Sequence, residues 1–193
     1  MLSIGYPDFS WAPILMEHPL SIRLATIDDA DTLTELAWRT FHDAFSSMNS
    51  PENMEAYRRG KFTLQEFSAQ IADPRATFLI AEIEATPVAY AKLYDGEVPA
   101  CVSGLASVEI ERFYVDRHYH GKGLAQTLMQ VCLDRARQSG HETVYLGVWE
   151  NNHRAIAFYH KYGFEIVGSH TFQLGDETQN DFWMERRLQE SAQ

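Results

Sequence analysis

The spacing of apolar residues divides the chain into alternating strands and helices. Alternation over "SIRLAT" (21–26) predicts an edge strand. Asp28 and Asp29 then offer a helix cap, and Leu33, Leu36, Ala37, Phe41 and Phe45 follow at helical spacing. "SPENMEAYRRG" places Ser50 before Pro51, a cap followed by proline at the first helical position, and closes on glycine. "FTLQEFSAQIADP" predicts a third short helix stopped at Pro74. "ATFLIAEIE" and "TPVAYAKLY" predict two strands joined by a tight turn near Ala85 to Pro87, and "DGEVPACVSGLA" a loop. "SVEIERFYV" predicts a strand, "GKGLAQTLMQVCLDRARQSG" a helix, and "ETVYLGVWE" another strand. "NNHRAIAFYHKYG" predicts a helix closed by Gly163, and "FEIVGSHTFQ" and "DFWMERRL" two last strands. The pattern is one α/β (α+β) domain over residues 20–190: a helical segment, an antiparallel meander, a βαβ crossover and two further strands. Residues 1–19 are broken by Pro7, Pro13 and Pro19 and are expected to form a loosely ordered extension, with Met16 as an alternative start.

Composition narrows the function. Of 193 residues, 45% are apolar and 22% charged, as in a globular domain. A formal net charge of −11 argues against nucleic acid as a partner and is compatible with a cationic one, although acidity also serves plain solubility. Cys101 and Cys132 fit neither a metal-ligand spacing nor a disulfide framework, so a reducing, cytoplasmic setting without a metal is expected. No apolar run approaches the ~20 residues of a membrane span.

The chemistry starts at "VDRHYHGKGLAQTL" (115–128), where Gly121 and Gly123 bracket Lys122 between a strand and a helix. Such a turn is either punctuation or an anion cradle, with backbone N–H groups at a helix start facing the ligand. A phosphate loop needs G-x-x-x-x-G-K-[ST], which is absent, and a dinucleotide fingerprint fails at Gln126.

The segment His120-Gly121-Lys122-Gly123-Leu124-Ala125 resembles motif A of the GNAT N-acyltransferases, with His120 where Gln or Arg is usual. Asn152, Ala155, Phe158, Tyr159, Lys161, Gly163 and Phe164 match that family's motif B. The resemblance covers roughly residues 21–188. The segments "VEIERFYV", "LGVWENNHRAIAFYHKYGF" and "FQLGDETQNDFWME" look like the PaiA-type spermidine/spermine acetyltransferases. It implies a central, mostly antiparallel sheet of six to seven strands with a splayed parallel central pair, flanked by helices. It also implies acetyl-CoA as co-substrate and transfer to a small cationic amine, spermidine or spermine. The alternatives are another amine, whether amino acid, antibiotic or protein N-terminus, or a non-catalytic acyl-CoA-binding regulator. A homodimer is compatible with the resemblance.

The resemblance implies roles for particular residues. The backbone of His120, Gly121, Lys122, Gly123, Leu124, Ala125 and Gln126 would hold pyrophosphate. Phe113, Tyr114 and Val115 would receive the pantetheine arm, with an N–H near Val115 as oxyanion donor. Asn152 would hydrogen-bond that arm, beside Ala155 and Phe158. Tyr159 would be the acid for the leaving thiolate, its rival role being a core aromatic. From the residues themselves, a period of two puts Glu109, Glu111, Phe113 and Val115 on one strand face. Either glutamate is then a candidate base or cation holder, or a plain salt-bridge partner. Trp38, Phe41, Phe45 and Tyr57 with Glu52 and Glu55 are a candidate aromatic and acidic acceptor slot, or core.

Overall fold

The computed structural model describes residues 19–174 and 177–188, so the extension expected over 1–19, Met16 included, lies outside the described residues except for Pro19. Strand β1 (Leu20–Leu24) leads through a short 3-10 turn into helices α1 (Ala30–Phe45), α2 (Pro51–Lys61) and α3 (Leu64–Ala72). Strands β2 (Ala76–Ile83), β3 (Thr86–Tyr94) and β4 (Ser107–Val115) follow. Helix α4 (Leu124–Gln138) crosses to β5 (Thr143–Trp149), and α5 (His153–Lys161) leads to β6 (Glu165–Leu174) and β7 (Glu177–Arg187).

The seven strands form one sheet in the order β1-β2-β3-β4-β5-β7-β6. Every neighbouring pair is antiparallel except β4 with β5. The β2–β3 turn is tight because Glu84 and Ala85 take positive φ of 49° and 60°, the twist a two-residue hairpin requires. As the sequence predicts, Ser50 Oγ accepts from the Asn53 N–H at 3.1 Å ahead of Pro51, and Thr63 caps α3 in the same way.

Helices lie on both faces. One face of the sheet packs on α4, whose Leu124, Leu128, Met129, Cys132 and Leu133 are fully buried against Ala91, Leu93, Val108, Ile110, Leu146 and Met184. Each such leucine contributes about 2 kcal/mol by burial. The other face packs on α1 and α3 through Leu33, Leu36, Ala37 and Phe67 against Phe78, Ile80 and Tyr90.

Candidate active site

The parallel pair is short. β4 and β5 share a ladder only over Ser107–Glu109 and Thr143–Tyr145. Beyond Glu109 the strands part, and the edge of β4 from Ile110 to Val115 has no ladder partner on the β5 side. Its outward N–H and C=O groups there, short of the Val115 carbonyl that His120 engages, are open to an extended ligand that completes the missing ladder.

A bulge at the same place corrects the predicted faces. Lys92 pairs with Arg112 but Leu93 pairs with Ile110, so Glu111 is an extra residue with no opposite number on β3. The alternation changes phase there. Glu109 and Glu111 do not share a face with Phe113 and Val115, as a strict period of two would have it. Phe113 and Val115 pack on the α4 side. Glu109, Glu111, Arg112 and Tyr114 lie on the side of α1 and α3, where the Arg112 guanidinium sits 5.0 Å from the Phe67 ring centre and Tyr114 stacks on Tyr90.

The two glutamates differ. Glu111 receives both its oxygens' bonds from Lys92 Nζ, at 2.9 and 2.7 Å, and lies 3.7 Å from Arg112 Nε. It is the salt-bridge partner that the plainer reading describes. Lys92 is only 5% exposed, bonds Gln70 as well, and lies over the rings of Phe78 and Tyr94. Burial lowers the pKa of its ammonium, which Glu111 partly offsets. Glu109, the last paired residue before the fork, has no such partner. Burial first, and then the Glu111 charge, push its carboxyl up to about 7, with Lys92 pulling the other way. A carboxyl so placed exchanges a proton near neutral pH.

At the end of β4 the chain turns through a 3-10 turn at Arg117–Tyr119 into the two glycines. Gly121 and Gly123 have φ of 76° and 84°, a left-handed conformation that disfavours any side chain, and a Cβ at either would meet nothing within 4 Å. Gly123 is the N-cap of α4, no side chain caps the helix, and its first internal bond is Thr127 N–H to Gly123 O. The N–H groups of Leu124, Ala125 and Gln126 therefore carry the positive end of the helix dipole into open space. His120 is a strut. Its Nε2 lies 2.8 Å from the Val115 carbonyl, which can only accept, so Nε2 carries the hydrogen and Nδ1 accepts from Arg154 Nη1 at 3.2 Å. It ties β4 to α5.

Asn152 spends its Oδ1 on capping α5, accepting from the Ala155 N–H at 3.2 Å. Its side-chain amide is left as the group free to donate. Tyr159 is 8% exposed, edge-on to Phe113 at 6.5 Å and to Phe158 at 5.6 Å. Burial raises its hydroxyl pKa well above the ordinary tyrosine value, which keeps the proton on the oxygen.

The chain and its fold resemble known proteins. The model of the Acetyltransferase (GNAT) family matches residues 31–164. An uncharacterized N-acetyltransferase of Mycobacterium tuberculosis is 36% identical over 160 residues, covering 83% of this chain and 98% of the relative. The chain belongs to the GNAT acetyltransferase family. It is also 24% identical over 174 residues to the spermidine N(1)-acetyltransferase of Thermoplasma acidophilum, covering 88% of this chain and 98% of that one. The crystal structure of PaiA N-acetyltransferase from the same organism, in complex with coenzyme A, superposes with a TM-score of 0.72 at 24% identity, over 88% of this chain and 99% of the other.

As a GNAT N-acetyltransferase, the protein gives its N-terminal aromatics a structural task. Phe41 is 7% exposed and is boxed in by Phe45, Tyr57 and Phe62 at ring distances of 4.6, 5.1 and 5.1 Å. Trp38 packs on Phe62 and lies under the Arg58 guanidinium. Glu55 is held by Arg58 and Arg59 of its own helix, and Glu52 is exposed in the first turn. Phe41 is therefore core, while Trp38, Phe45 and Tyr57 pack on it half-buried and the nearby acidic charge of Glu55 is met within its own helix. Burial raises the pKa of Tyr57, which feels Arg112 and Glu111, so Tyr57 is the member of the set that borders the charged site. Arg112 is the ion-pair neighbour that the plainer reading of the glutamates expects, but sequence reasoning missed Lys92. The signal for Lys92 was present: one cation in the otherwise uncharged strand "TPVAYAKLY". Among the described residues no cluster of three or more His, Cys, Asp or Glu could hold a metal, and no helix is long and apolar enough to cross a membrane.

Proposed function

We propose that this N-acetyltransferase moves the acetyl group of acetyl-CoA directly to a primary amine of a small polycation, a polyamine such as spermidine or spermine, in the cytoplasm. The observation that carries the reading is the place of Glu109: a half-buried carboxyl, the last paired residue before an open fork in the sheet, on the acceptor side, where burial and Glu111 push its pKa up to about 7. The net charge of −11 favours capture of a polycation, and the similarity to the spermidine acetyltransferase of T. acidophilum supports the substrate class.

The open turn at Gly121 and Gly123, the uncapped start of α4 and the unpaired edge of β4 fit a nucleotide with an extended arm. N–H groups from Gly121 to Gln126 hold its phosphates, the β4 edge from Phe113 to Val115 holds the arm, and the Asn152 amide donates to it. Bound acetyl-CoA supplies an activated thioester. Glu109 takes a proton from the cationic amine, directly or through a water, and frees its lone pair for attack. A backbone N–H near Val115 stabilises negative charge as it grows on the carbonyl oxygen. Tyr159, kept protonated by burial, donates to the departing sulfur, and the second proton that the nitrogen loses as the amide forms restores the phenol. Glu111, neutralised by Lys92, holds the local charge.

A thiol-release assay with acetyl-CoA and a panel of amines tests this. Spermidine is expected to outpace a monoamine of similar length, with KM rising with salt because screening weakens the attraction. Equal turnover of mono- and polyamines with no salt effect defeats the polyamine reading. Tyr159→Phe is expected to lower kcat by about 10² or more with acetyl-CoA affinity intact; a kcat within about twofold returns Tyr159 to packing.

A further inference from the structure

The sheet face that carries Glu109 continues across β5, β7 and β6. Glu109 pairs with Tyr145, Tyr145 with Glu185, Gly147 with Trp183 and Trp149 with Asp181, while Asp181 faces His170 directly across the β6–β7 ladder. Near the fork this face is closed by the loop after β3: Tyr145 donates to the Glu97 carbonyl, and Ser103 donates from its N–H and its hydroxyl to Glu185. Farther along, His170 stacks on Trp183 at 4.1 Å, above Gly147. A Cβ at Gly147 would lie 3.4 Å from His170 Nε2 and 3.4 Å from the Trp183 ring, so both side chains rest directly over the glycine.

Two buried atoms there have no hydrogen-bond partner: His170 Nε2 and Asp181 Oδ1. His170 Nδ1 faces the Thr171 carbonyl at 3.3 Å and so carries the hydrogen, which leaves Nε2 a bare lone pair. Both orphans are therefore acceptors. A buried acceptor left without a partner is destabilising, so the pair calls for a donor. Burial raises the pKa of Asp181, the neighbouring His170 pulls it down and Glu150 pushes it up, and a cation beside the carboxylate would add to the His170 effect. An indole face and a carboxylate suit a cation, and an aminium nitrogen is both a cation and a donor. Trp149, opposite Asp181, also walls a cavity of about 350 Å³ with Glu150 and Asn180.

We propose that His170 and Asp181, with Trp183, form a second subsite that holds a distal aminium nitrogen of the acceptor while Glu109 takes the proton of the reacting one. The proposal rests on the polyamine reading above and adds its ruler. Four residues along β5 and two strand spacings separate the backbones of Glu109 and Asp181, about 16 Å. With a hydrogen bond of about 3 Å at each end, the two nitrogens stand on the order of 10 Å apart. Spermidine spans that gap; diaminopropane does not.

Calorimetry on the full chain saturated with coenzyme A tests it, with spermidine and diaminopropane as probes. Asp181→Asn keeps the shape and removes the charge, and His170→Phe keeps the ring over Trp183 and removes the acceptor. Each is expected to weaken spermidine by about tenfold or more and to narrow its advantage over diaminopropane. Spermidine affinity within about twofold of the parent in either folded variant overturns the subsite. If spermidine is acetylated equally well by parent and Asp181→Asn, the subsite falls and the acetyltransfer reading stands. If spermidine binds in an Asp181-dependent way but no amine releases thiol, the subsite stands and the acetyltransfer reading falls.

Discussion

On one side of the sheet Leu124, Leu128, Met129 and Leu133 of α4 meet Ala91, Leu93, Val108 and Ile110, all buried and apolar. On the other side Lys92, Glu109, Glu111 and Arg112 are set among Phe67, Phe78, Tyr90 and Tyr94. The strands are shared; the environments are not. The first face gains by removing hydrocarbon from water. The second keeps ionisable groups where desolvation works against their charge, which a fold alone does not require. A face of packed hydrocarbon and a face of ionisable groups thus lie back to back on β3 and β4, divided by side-chain alternation and one bulge.

Substitutions can break that division. The largest effect is expected at Glu109. Glu109→Gln should lower kcat by about 10²–10⁴. In the parent, kcat/KM should fall as pH drops through about 7, because the base is then protonated. Stability should move the opposite way. The folded state holds this proton more tightly than the unfolded chain, whose Glu titrates at an ordinary value. That stabilisation is complete below the ordinary Glu pKa and is lost as pH rises through about 7. Glu109→Gln should therefore raise Tm by a few degrees near pH 8 and leave it little changed near pH 4, as read by calorimetry. Equal Tm shifts at both pH values would show that the charge is not what Glu109 costs.

Next comes the apolar face. Leu128→Ala, at a fully buried position under the sheet, should lose about 2–5 kcal/mol in urea unfolding. The pH dependence of its remaining activity should match the parent; a shifted profile would mean that the two faces are not independent. The smallest effect is expected at Lys92. Lys92→Met removes the cation that lowers the Glu109 pKa and frees the Glu111 charge that raises it. The acid limb of the rate profile should move above pH 7 by less than about one unit. A shift to lower pH would reverse the assignment of these charges.

Local signals were legible where one residue settles a local conformation. Ser50 with Pro51, Gly121 and Gly123 before α4, and Gly163 after α5 were all read from sequence because caps and positive φ depend on near neighbours. The glutamates were found but placed on the wrong face relative to Phe113 and Val115, because the bulge depends on β3 pairing and "VEIERFYV" alternates without a break. The aromatic set stayed open between slot and core because Phe41 and Tyr57 read alike whether they face one another or a ligand. His170 and Asp181 lie 11 positions apart in sequence and meet only through the β6–β7 register, itself shifted between Ile166 and Gly168. No periodicity within either strand announces that meeting.

The fork has a mechanical consequence. Three residue pairs join the four-strand half, β1 to β4, to the three-strand half, β5, β7 and β6, with α4 laid across the seam. Such a sheet behaves as two plates on a narrow hinge. An extended arm that enters between them supplies the hydrogen bonds of an absent strand and turns the hinge into a continuous beam. Part of the cofactor's binding energy is then spent on stiffness, so the positions of Glu109 and Tyr159 relative to one another become sharpest when the acyl donor is already in place.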